Sequence, residues 1–137
     1  MTYTITTSIE APVEEVISET TKLLKSEGFG VLADIDVQAT FEQNIDEEID
    51  QYRILGACNP SLAHEGITAE SDLGALLPCN VAIYEDENDD VVVSAGHPNQ
   101  LLEITENPAL NPIADDVKSR FERVFEELEA QFVDGGT

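Results

Sequence analysis

Cations are scarce in this chain. Its 137 residues carry 6 Lys+Arg against 29 Asp+Glu, a formal net charge of −23. A surface so charged repels itself, and it also repels nucleic acid phosphates and anionic lipid. Neither nucleic acid nor a membrane is therefore expected as a partner. Salt relieves the self-repulsion, because the Debye length falls from about 30 Å at 0.01 M to roughly 3 Å at 1 M. The acids are spread along the chain rather than gathered into one tail or patch. Hydrophobic residues make up 42%, too many for a disordered acidic segment. Together these features predict a folded, halophilic, cytoplasmic protein adapted to multimolar salt.

Further absences narrow the chemistry. No run approaches the ~20 apolar residues of a membrane span. The opening "MTYTITTSIE" has neither the basic nor the apolar region of a signal peptide. The chain has two cysteines, Cys58 and Cys79, and in a cytoplasmic protein these are expected to be free thiols rather than a disulfide. There is no P-loop, no G-x-G-x-x-G and no G-x-S-x-G elbow. The acidic "DENDD" lacks the spacing of a Ca²⁺ loop and reads as a solvated hairpin tip. His64 and His97 are the only imidazoles, and with the cysteines they match no zinc spacing. No cofactor and no native metal are expected, and no catalytic residue can be assigned.

What is present is clear periodicity. At this length the chain is read as one domain, 1–137. Tyr3, Ile5 and Ile9 alternate with Thr2, Thr4, Thr6 and Ser8, a strand with one polar face. Val13, Val16, Ile17, Thr20 and Leu24 then follow at helical spacing, and Gly28 ends that helix. "FGVLADIDV" predicts a second strand with Phe29, Val31, Ala33 and Ile35 on one side, followed by a short helix that Asp36 can cap. "YRILGAC" is apolar on both faces, as a central strand is. Asn59-Pro60 opens a third helix, and "GALLP" is read as a tight return. "CNVAIYE" and "VVVSA" form a hairpin, Pro98 starts a short helix, and "ENPALNP" is a linker. Asn111-Pro112 opens a final amphipathic helix through Ile113, Val117, Phe121, Val124 and Leu128, with "DGGT" a frayed end.

The predicted order is β-α-β-α-β-α-β-β-α-α. The fold class is α+β, a five-stranded mixed sheet covered on one face by helices. The threonine face of the first strand then needs water or a second subunit, so a homodimer is the expected assembly.

Four segments, "EGFGVLADIDVQATF", "YRILGACNPSLA", "LGALLPCNVAIYED" and "VVVSAGHP", occur in this order and resemble the domain of unknown function 302 family. The resemblance spans nearly the whole chain, and "GACNP" with "LLPCNV" is its most specific part. It implies a small α+β domain, TATA-binding-protein-like in fold and often dimeric, and it implies no known activity. Likeness to a DNA-binding fold does not carry DNA binding with it, since function lives in sites rather than folds.

The two Cys-Asn motifs are the candidate site. Cys58 ends a buried strand and directly precedes a helix start, where partial positive charge favours a thiolate. The competing reading is a small buried hydrophobe. Cys79 opens the next strand among apolar alternation partners, which favours the core reading more strongly. Asn59 reads as a helix cap, whereas Asn80 is polar at a strand start. Ligand-binding candidates are therefore Cys58, Asn59, Cys79 and Asn80. If the two strands are antiparallel, both motifs share one end of the sheet. The functional reading is a small cytoplasmic binding domain for a small ligand, a soft metal or thiol redox chemistry. The alternative is an interaction module that dimerises through its sheet and uses the cysteines as core.

Overall fold

A computed structural model describes residues 2–135, with side chains described as far as Phe132; the last two residues of the closing "DGGT" lie outside the described residues. The elements are β1 (Thr4–Ile9), α1 (Val13–Ser26), β2 (Gly30–Asp36), α2 (Val37–Ile45), β3 (Tyr52–Cys58), α3 (Pro60–Ala69), β4 (Cys79–Glu85), β5 (Val91–Gly96), α4 (Pro98–Glu103) and α5 (Asn111–Gly135). Short 3-10 segments occupy Ser71–Leu76 and Pro108–Leu110. This is the α+β order read from the sequence.

The five strands lie in the order β1-β5-β4-β3-β2. Every pairing is antiparallel, so the expected mixed sheet is corrected to a wholly antiparallel one. The reason is where the connecting helices lead the chain. A crossover helix makes a parallel pair only when it returns the chain to a neighbouring strand. Here α1 joins β1 and β2, which run in the same direction but lie on opposite edges and never pair, while α2 and α3 each reverse the chain beside the strand it has just left.

One sheet face carries the core. Ile9, Leu55, Ala57, Val81, Ile83, Val91, Val93 and Ala95 alternate inward, as the period of two requires. They meet Val13, Val16, Ile17 and Leu24 of α1 and Val117, Phe121, Val124, Phe125 and Leu128 of α5. These are the helical stripes expected from spacing alone. Phe29 and Phe121 stack between the layers with ring centroids 5.1 Å apart.

β2 departs from its expected alternation. The register shifts between Val31 and Ala33, so Leu32 is an inserted bulge residue and is 71% exposed. Past the bulge the faces exchange. Ile35, expected beside Phe29 and Val31, pairs with Ile54 instead and is 49% exposed.

Local caps explain most helix starts. Asp36 accepts a hydrogen bond from the Ala39 N–H at 2.9 Å at the head of α2. "GALLP" is not a simple return: its first three residues end a 3-10 segment and Leu77 then turns extended. The Asn-Pro capping signal before the last helix acts one copy earlier than expected: Asn107 accepts from the Ala109 N–H at 3.0 Å, and the chain runs through Pro108–Leu110 into α5. "DENDD" is a hairpin tip in which the Asp86 carboxylate accepts from the Asn88 and Asp90 N–H groups.

Candidate functional site

β3 ends and β4 begins at the same end of the sheet, because the two strands are antiparallel. Ala57 pairs with Cys79, and Cys58 follows it, opposite Gly30 of β2. The condition set by the sequence for a shared site is thus met. Alternation puts Cys79 on the helix-covered face with Ala57, where it packs against the core. Cys58 falls on the other side of β3. Both thiols are free.

Burial, and secondarily the Cys58 thiol, push the Cys79 pKa from its ordinary 9.0 up to about 11. At neutral pH Cys79 is therefore a protonated, weakly nucleophilic thiol, since the thiolate is the reactive and metal-ligating form.

The remaining motif letters are explained by packing at this corner. Asn59 is 8% exposed and caps α3, its Oδ1 accepting from the Leu62 N–H at 3.2 Å. Gly28 ends α1 at φ +88°, in the left-handed region. A Cβ there would lie 2.9 Å from Asn59 Nδ2. A Cβ on Gly56 would lie 2.9 Å from Cγ of Pro78, so "GAC" and "LPC" are matched by close approach. Asn80 is exposed at the start of β4 and has no such structural duty.

Each histidine has its place in or at the head of a helix. His64 is on the outer side of α3, exposed as expected. His97 caps α4, its Nδ1 accepting from the Gln100 N–H at 3.4 Å. Among the described residues no group of three or more His, Cys, Asp or Glu side chains could hold a metal ion.

Above this corner lies a cleft of about 460 Å³, and Cys58, Asn59, Cys79 and Asn80 all line it. Its lining runs from the core side, with Ala57, Cys79 and Val117 of α5, onto the opposite sheet face, including Ile54, Ala82 and Ser94. Tyr52 and Tyr84, paired across β3 and β4, also contribute, with rings 5.1 Å apart and 9° from parallel. Leu62, Leu76, Leu77, Leu101 and Leu102 supply apolar walls from α3, the segment after it and α4. Leu101 reaches the floor at Gly96, where a Cβ would lie 2.7 Å from its Cδ1. Such a concave, mainly apolar surface with a few polar groups is suited to holding a small molecule by burial.

The cleft floor was missed by sequence reasoning. The signal was present in part: "YRILGAC" and "CNVAIYE" each place a tyrosine on one alternation set. Joining them required the register of β3 on β4.

The family model described as "Domain of unknown function DUF302" matches residues 4–128. The chain is also similar to a solved protein, the uncharacterized conserved protein DUF302 from Bacillus stearothermophilus. The two share 25% identity and superpose with a TM-score of 0.86, over 92% of this chain and 98% of that chain. No curated protein matches.

Proposed function

The chain belongs to the DUF302 family, and from that premise we propose that it is a small-ligand-binding domain whose site is the cleft at the two Cys-Asn motifs. The observation that carries this reading is the cleft itself. It has about 460 Å³ of space over a mostly apolar floor, within the range of small-molecule sites. In this reading Cys58, Cys79 and Asn59 form and support the wall, while Asn80 presents a free amide to the ligand. The protonated state of Cys79 weighs against the soft-metal and thiol-redox versions.

The experiment is binding of an uncharged solvatochromic naphthalene dye in molar KCl, compared between the native chain and Ser94→Phe. Ser94 is half-buried on the cleft floor, and the larger ring would fill the space. Blue-shifted emission lost in the variant, with cooperative unfolding retained, supports the reading. A dye that stays in water with the native chain would sink it.

A second reading has its own observation. Leu32, Ile35, Phe41 and Ile45 are exposed large apolar side chains within one β2–α2 segment. We read this segment as the interface of a homodimer, covering surface that a lone chain leaves wet. Light scattering in high salt over a range of protein concentrations, repeated with Ile35→Asp, tests it; a monomer mass throughout overturns it.

The working medium in this reading is the salt-rich cytoplasm of a halophile, supported by the net charge of −23. The same charge weighs against nucleic acid as a partner. Among the described residues no helix is long and apolar enough to cross a membrane.

A further inference from the structure

The charge distribution around the cleft is unlike that of the rest of the molecule. Charged residues make up 26% of the chain. None of the 25 described residues lining the cleft is charged. Its described polar residues are all neutral, Tyr52, Tyr84, Ser94 and Asn80 among them. We infer that the ligand of this cleft is an uncharged amphiphile, with an apolar body and a hydroxyl or carbonyl head, and that carboxylates and phosphates are excluded. This rests on the cleft being the binding site, as proposed above.

Two physical reasons support the exclusion. An anionic head entering the cleft sheds water, and neutral hydroxyl and amide donors offset less of that cost than a cation would. Among the described residues no cation lines the cleft. Arg120, which shares the Gly28 corner with Asn59, is held by Asp116 at 2.7 Å and by the Glu27 carbonyl at 2.6 Å. Arg53 is engaged by Asp34 and Glu14. The second reason is the field of the whole protein, which at −23 opposes an approaching anion wherever salt does not screen it. A cationic head is not selected either, because no carboxylate lines the cleft to receive it. Hydroxyl and amide groups can each donate and accept, so a neutral head leaves none of them unpaired.

The test is competition against the uncharged dye by decanol, decanoate and decylammonium, at neutral pH in molar KCl, with the native chain and Asn80→Lys. Asn80 is exposed, so the substitution places a cation at the cleft without disturbing the core. For the native chain, decanol should displace the dye at roughly tenfold lower concentration than decanoate, and more readily than decylammonium. In Asn80→Lys the ratio of decanoate affinity to decanol affinity should rise severalfold. Decanoate or decylammonium binding the native chain as tightly as decanol would overturn the inference and leave the cleft standing as a site. A ratio unmoved by Asn80→Lys would also count against it. If neither the dye nor any of the three amphiphiles binds, the cleft reading itself fails.

Discussion

Replacing Asn59 with alanine separates a structural role from a ligand-binding one. The side chain is 8% exposed, and its Oδ1 accepts from the Leu62 N–H at 3.2 Å. Alanine removes that acceptor and leaves an N–H at the head of α3 without a partner. Loss of such a cap costs about 1 kcal/mol, within a range of roughly 0.5 to 2. The amide also fills the space beside Gly28, so a small void adds to the loss. We expect about 1–2 kcal/mol in total. With an unfolding entropy of about 2.1 cal/mol/K per residue, each kcal/mol lowers Tm by about 3–4 °C in a chain of this size.

Asn59→Asp is the control. It keeps the accepting oxygen and adds a negative charge at a helix N-terminus, where charge of that sign is favourable. Its stability should stay within about 1 kcal/mol of the native chain. The assay is urea unfolding followed by circular dichroism in molar KCl, with thermal melts alongside and dye binding on the same samples. A native-like Asn59→Ala that nevertheless loses the dye would refute the capping assignment, and so would an Asp variant as unstable as the Ala variant.

Three more outcomes are expected. With a net charge of −23, the unfolding midpoint should rise steeply between about 0.05 and 3 M KCl as screening shortens the Debye length; a midpoint indifferent to KCl rules out the halophilic adaptation. Thr20 is fully buried in α1, and its hydroxyl has no hydrogen-bond partner among the described residues, so Thr20→Val should stabilise by about 1 kcal/mol in denaturant titration; a loss of stability would mean the hydroxyl is satisfied after all. Cys79 has a folded-state pKa raised from 9.0 to about 11, so the folded chain binds its proton more tightly than the unfolded chain. Its contribution is then fully present below pH 9.0 and lost as pH rises toward about 11, roughly 2–3 kcal/mol in all. Subtracting the stability–pH curve of Cys79→Ala from that of the native chain isolates this slope from the other groups that titrate there, and a flat difference would contradict the buried, neutral thiol.

Much of this protein was decided locally and could be read from the chain. The stripe Val13, Val16, Ile17, Thr20 and Leu24 is buried as its spacing requires. The caps at Asp36, Asn59 and His97 act within three residues of themselves, so neighbouring letters suffice to find them. The excess of acids over cations is likewise a property of composition alone.

What the letters could not carry were the relations between distant segments. "LADID" alternates without interruption, yet Leu32 bulges out because β2 must keep its pairing with β3 on both sides of that residue. Cys58 and Cys79 became neighbours only through the register that sets Ala57 against Cys79. The sheet is antiparallel throughout because α1 carries the chain from one edge to the other and α2 and α3 each turn it back beside the strand it has just left. The cleft depends on the same long-range pairings. Tyr52 meets Tyr84 across 31 intervening residues, and α4 brings Leu101 onto Gly96. A period of two or of 3.6 residues says which side of an element is apolar, but the partner that covers it, or leaves it open to a ligand, is selected by the packing of the whole fold.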